Sequence, residues 1–127
     1  MKNLTIFCFI IFLGQSAFAQ QSPEITSPQN VQFKVLGNCG MCKKNIEKAA
    51  LDAGVTTASW DTNTDMLSLT FDERKTTTDA IQKAIANVGY DNAGYKADEK
   101  AYNNLHGCCQ YDRTGAAGGT KSCTDNK

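Results

Sequence analysis

The sequence predicts an α+β domain of element order βαββαβ: a four-stranded antiparallel sheet with two helices on one face, followed by a Cys-containing C-terminal extension. Two patterns support this. Apolar residues alternate with polar ones at Val31, Phe33 and Val35 and again at Leu67, Leu69 and Phe71, the period of half-buried strands. Between and after them, apolar residues recur at three- and four-residue steps, the period of amphipathic helices, and each such stretch ends at a glycine.

Taken in order, the first strand covers Val31 to Val35 and breaks at Gly37-Asn38. A helix begins around Cys39-Gly40-Met41-Cys42, with Cys42, Ile46, Ala49, Ala50 and Ala53 on one face and Gly54 at its end. Val55 to Asp61 is the second strand and carries the single tryptophan, Trp60. Asp61-Thr62-Asn63-Thr64-Asp65 has the composition of a hairpin turn into the third strand. The second helix runs from Thr77 or Thr78 to Val88, with a threonine at its N-cap, Ile81, Ala84, Ile85 and Val88 inward, and Gly89 as its stop. A short fourth strand is expected around Gly94 to Ala97, and beyond Asp98 only a short helix near Glu99 to Leu105 has any periodicity. The domain therefore spans 31–98 and the tail 99–127, with no internal repeat.

The 127 residues leave room for one modest domain, which argues against a multi-step enzyme with its own cofactor domain. Lys and Arg number 13 against 13 Asp and Glu, without the basic surplus of a nucleic-acid binder. Residues 1–19 have the layout of a secretory signal peptide: Lys2, an apolar run from Leu4 to Leu13, and Ala17-Phe18-Ala19 as the cleavage site. That run is too short for a membrane helix. Cys8 lies mid-run between Phe7 and Phe9, not where a lipid-anchored cysteine belongs. The expectation is an exported protein, periplasmic or secreted, not membrane-inserted after cleavage, with residues 20–30 as a polar leader carrying Pro23 and Pro28.

Cys39 and Cys42 form a CxxC where a strand passes into a helix, beside the positive end of the helix dipole, which favours negative sulfur. Such a pair suits soft ions: Cu(I), Hg(II), Zn(II) or Cd(II). Two sulfurs alone fit a nearly linear d10 ion, whereas tetrahedral zinc needs two more ligands. Lys43 and Lys44 follow directly and are expected to offset the charge of a bis-thiolate complex. The same spacing is also that of a thiol-disulfide redox pair, or of a structural disulfide. The chain has no proline after Pro28 to supply the cis-proline that thioredoxin-like folds place opposite the motif.

Further along stand His106, Cys108, Cys109 and Cys123. Adjacent cysteines rarely pair with each other, because the small ring strains the peptide between them. Two readings of this region stand. Cys108, Cys109 and His106 are additional candidate ligands that reach over the CxxC, or the tail is partly unstructured with Cys109 and Cys123 joined by a disulfide or as thiols. Tyr95, Tyr102, Tyr111 and Trp60 are expected to serve packing, and no nucleophile with a base is apparent.

Three segments carry a resemblance: FKVLGNCGMCKKNIEKA from Phe33 to Ala49, GVTTASWDTNTDMLSLTFD from Gly54 to Asp72, and AIANVGYD from Ala84 to Asp91. In this order the sequence resembles heavy-metal-associated domains of ferredoxin-like fold, as in small copper chaperones, periplasmic mercury-binding proteins and the N-terminal regions of metal-transporting ATPases. The resemblance covers Val31 to Ala97. It implies Cys39 and Cys42 as metal ligands and Tyr90 in the approaching loop, shielding the ion from water. It also implies a non-enzymatic exported chaperone or scavenger that hands on Cu(I) or Hg(II), with Zn and Cd as further ions, by thiolate exchange to a metal-transporting membrane protein or another metal-binding domain. A thiol-disulfide oxidoreductase and a metal-gated interaction module are the alternatives. One departure stands out: the family usually places Gly-Met-x before its first cysteine, the methionine folded inward, where this chain has Leu36-Gly37-Asn38. Met41 is no evident substitute, and the loop is expected to be set differently.

Overall fold

The computed structural model describes residues 27–114. Its elements are β1 (Gln29–Lys34), α1 (Gly40–Asp52), β2 (Thr57–Trp60), β3 (Met66–Phe71), α2 (Thr78–Asn87) and α3 (Glu99–Asn103), then a single 3-10 turn at Gly107–Cys109. The strands form one antiparallel sheet in the order β1-β3-β2. Its register sets Phe33 opposite Leu67 and Val31 opposite Leu69 on one side, and Trp60 opposite Leu67 and Ala58 opposite Leu69 on the other. Alternation sends these residues to one face. The other face is polar, with Gln32 Nε2 donating to Ser68 Oγ at 2.6 Å and Thr70 Oγ1 donating to Asn30 Oδ1 at 2.8 Å.

Both helices pack on the apolar face. Ile46, Ala49 and Ala50 of α1 and Ile81 and Ile85 of α2 join Phe33, Leu67, Leu69, Phe71 and Trp60 in one buried cluster. The ends of the helices follow local chemistry. Gly54 adopts φ 98° beyond α1, and Thr77 caps α2 by accepting the Ala80 N–H at 3.2 Å. Ala86 is buried in α2, whereas Val88, expected inward, caps the helix and is 44% exposed. In the hairpin, Asp61 Oδ1 accepts the Asn63 and Thr64 N–H groups at 2.8 and 2.9 Å, and Asp65 takes the left-handed conformation at φ 59°.

The expected fourth strand at Gly94 to Ala97 is corrected to a single bridge, Val35 to Asn92. Asn92 is the cause. Its side-chain oxygen accepts the N–H groups of Gly94 and Tyr95, both at 3.1 Å, and its own N–H donates to the Tyr95 carbonyl at 2.8 Å, which folds the segment into a turn.

The chain after Asp98 packs onto the domain. Asp98 Oδ1 caps α3 through the Lys100 N–H at 2.8 Å, and Cys109 and Tyr111 enter the main buried cluster. The Tyr111 hydroxyl accepts the Asp91 N–H at 2.6 Å and donates to the Gly89 carbonyl at 2.9 Å. Its ring stacks on Tyr90 and meets Tyr102 edge-on at centroid distances of 6.1 and 5.2 Å. Arg113 lies over Tyr102 and pairs with Asp91 at 2.7 Å. Among the described residues no helix is long and apolar enough to cross a membrane. The signal-peptide reading, Cys8 and Cys123 lie outside the described residues.

Candidate metal centre

Cys39 is the N-cap residue of α1 and Cys42 lies in its first turn, so both sulfurs gather where the helix presents its unsatisfied N–H groups. The two sulfurs are 3.7 Å apart. A disulfide requires about 2.05 Å, so the structural-disulfide reading of this pair is not what the structure shows. Cys42 is fully buried and its sulfur accepts the Asn38 N–H at 3.4 Å, while Cys39 is half-buried.

The extension delivers two more thiols. Cys108 Sγ stands 3.9 Å from Cys39 Sγ, and the sulfurs of Cys39, Cys108 and Cys109 all lie within 4.8 Å of one another. Asn38 ties the two segments together, its Nδ2 donating to the Cys108 carbonyl at 3.3 Å. Cys109 is fully buried, and that burial raises its pKa; the adjoining Cys42 raises it further, and the Tyr90 hydroxyl opposes the rise. His106 is exposed and reaches Cys108 alone, its Nδ1 3.3 Å from that sulfur.

Tyr90 is buried beneath the cluster, its hydroxyl accepting from Asn45 Nδ2 at 3.1 Å. Burial is the main reason that its pKa is raised, so it stands as a neutral phenol at the floor of the site. Lys43 does not face the thiols. Its amino group is held by Glu47 and, at 2.6 Å, by the Trp60 carbonyl, which corrects the expectation that it offsets the site's charge. Sequence reasoning overlooked Asn38, Asn45 and Arg113. A signal for the last existed: Cys109, Tyr111 and Arg113 are inward while Gln110 and Asp112 are exposed, a period-two pattern readable in the sequence.

The described residues thus form an antiparallel sheet under two helices that presents a thiol pair at the N-terminus of the first helix. No family model matches the chain, and no curated protein matches it. Solved structures do. Oxidized MerP from Ralstonia metallidurans CH34 is 30% identical over 53% of this chain and 96% of its own, with a TM-score of 0.50. The water-soluble region of the P-type ATPase CopA from Bacillus subtilis is 30% identical over 54% of this chain and 46% of its own, also at 0.50. A CopZ metallochaperone aligns over 51% of this chain and 100% of its own at 30% identity and a TM-score of 0.49. The chain belongs to the heavy-metal-associated domain family.

Proposed function

We propose that this protein is an exported carrier or scavenger of a soft metal ion, Cu(I) or Hg(II) first, with Zn(II) and Cd(II) as further ions, and that Cys39 and Cys42 hold the cargo. The observation that carries the reading is the sulfur pair, 3.7 Å apart at the start of α1, with Cys39 half-exposed where an incoming thiolate can reach it. Soft thiolates select soft d10 ions over hard cations. Hand-off proceeds by ligand exchange: a partner's thiolate bonds to the ion as one protein thiolate leaves. Tyr90 closes the floor of the site against water. The likeness to the water-soluble region of a P-type ATPase supports a transporter domain as partner. The chain acts as a carrier rather than an enzyme, and residues 1–19 direct its export.

The test is a competition titration of the reduced protein with Cu(I) and Hg(II). Cys39→Ser and Cys42→Ser are each expected to weaken binding by at least about 100-fold, the upper range for losses that leave every ligand in place. Unchanged affinity in both variants overturns the reading. Reduction of a model disulfide by the wild type faster than by free thiol favours the oxidoreductase alternative instead.

A further inference from the structure

We infer that Cys108 and Cys109 ligate the same ion as Cys39 and Cys42, so that the C-terminal extension turns a two-sulfur site into a closed site of three or four thiolates for a divalent d10 ion. This rests on the soft-metal reading of Cys39 and Cys42, and adds the coordination and the charge of the ion.

The sulfur spacings carry the argument. With a metal–sulfur bond of about 2.3 Å, a linear two-sulfur complex holds its sulfurs about 4.6 Å apart, a trigonal one about 4.0 Å and a tetrahedral one about 3.8 Å. The observed separations are 3.7 Å for Cys39 to Cys42 and 3.9 Å for Cys39 to Cys108, with Cys109 completing the group within 4.8 Å of Cys39 and Cys108. Cys42 in turn adjoins Cys109. A linear complex on Cys39 and Cys42 requires the pair to open by nearly 1 Å, and would leave Cys108 beside the ion without a bond to it. Cys39, Cys108 and Cys109 stand within 4.8 Å of one another and can close on one ion with sulfur shifts under about 1 Å, whereas Cys42 lies outside that group and supplies a fourth bond only by moving closer.

Independent of the sulfurs, the extension is fixed in place. Tyr111 and Arg113 anchor it to Gly89, Asp91 and Ala97 through the Tyr111 hydroxyl and the Arg113 guanidinium, and Asn38 bonds the CxxC loop directly to Cys108. A segment held at both ends presents its thiols without a further ordering cost.

Charge then selects the ion. Three thiolates around a monovalent ion leave a net charge of −2, and around a divalent ion −1; four leave −3 and −2. Removing net charge from water is costly, and the α1 N-terminus offsets only about half a unit. The divalent ion is favoured at either count. As each metal–sulfur bond forms, the thiol proton passes to solvent. With Cys42 and Cys109 fully buried, a competing thiolate reaches only the Cys39 and Cys108 side.

The experiment uses Zn(II) as the probe with the reduced full chain. X-ray absorption is expected to count three or four sulfurs at about 2.3 Å, and Cys108→Ser to remove one of them and weaken Zn(II) at least about tenfold. Cys108 is half-buried, so that variant is expected to keep the metal-free circular dichroism and melting of the wild type; Cys109→Ser, at a buried position, is the second. Two sulfurs in the wild type, or a sulfur count and affinity unchanged in both variants, overturns the inference while leaving the two-cysteine reading intact if Cys39→Ser still abolishes binding. Unchanged binding in Cys39→Ser and Cys42→Ser overturns both.

Discussion

Gly37 and Trp60 share one space. A β-carbon on Gly37 would stand 3.0 Å from two atoms of the Trp60 ring and 3.2 Å from the Cys42 β-carbon. Trp60 is 1% exposed and locked by its Nε1–H donating to the Val35 carbonyl at 3.0 Å. The resemblance sets the family's inward methionine at residue 37, where in this chain the Trp60 indole of β2 already occupies the adjoining space. Gly37→Met alone is expected to destabilise the domain by about 1–3 kcal/mol, the cost of overpacking. Combined with Trp60→Ala, itself worth about 3–5 kcal/mol, it is expected to cost less than the sum of the two. Denaturant melts of the four proteins measure the coupling, and strict additivity would show that the two side chains do not compete.

At the scale of elements, the junction between α2 and α3 is the sensitive one. Gly89 leaves α2 at φ 105°, a conformation costly for any other residue, and a β-carbon there would meet the Ala101 carbonyl oxygen at 2.8 Å and Leu105 Cγ at 2.9 Å. The close contact with backbone of α3 cannot be relieved by a rotamer change. Gly89→Ala is expected to cost more than about 2 kcal/mol from strain and overlap together, and to loosen α3. Hydrogen exchange at the Tyr102 and Leu105 amides, which bond to Asp98 and Tyr102, reads this directly. Wild-type protection in the variant would show that α3 is not seated by this turn.

For the whole molecule, docking of the extension depends on the Asp91–Arg113 pair, both side chains nearly buried. Burial by itself raises the pKa of Asp91, but hydrogen bonds from Arg113 and the Ala97 N–H outweigh it and hold the carboxyl below its ordinary value. A group with a lower pKa folded than unfolded gives its full stabilisation above the unfolded value of about 3.9, and loses it as pH falls through the folded value. The metal-free extension is therefore expected to undock below about pH 4, seen as loss of near-ultraviolet dichroism from Tyr102 and Tyr111. Arg113→Gln, which leaves Asp91 without its partner, is expected to cost about 3 kcal/mol at neutral pH and to weaken this acid step. A signal flat with pH in the wild type would remove Asp91 as the docking group.

The sequence determined the local parts of this protein. Alternation at Phe33 and Leu67, helical spacing at Ile46 and Ile81, the glycines at 54 and 89, and the CxxC at the head of α1 each depend on neighbours a few residues away, which periodicity and turn chemistry register. It gave less at Gly94 to Ala97, where the Asn92 side chain competes with strand pairing, and at Val88, which the helix end turns outward. What only the tertiary structure decided is the company that Cys39 keeps. Cys108 lies 69 residues away along the chain and 3.9 Å away in space, brought there by tyrosine stacking and an ion pair that connect segments with no local signal for each other. Spacing in sequence ties one thiol to its near neighbour; closure of a long loop by burial and charge pairing ties it to a distant one.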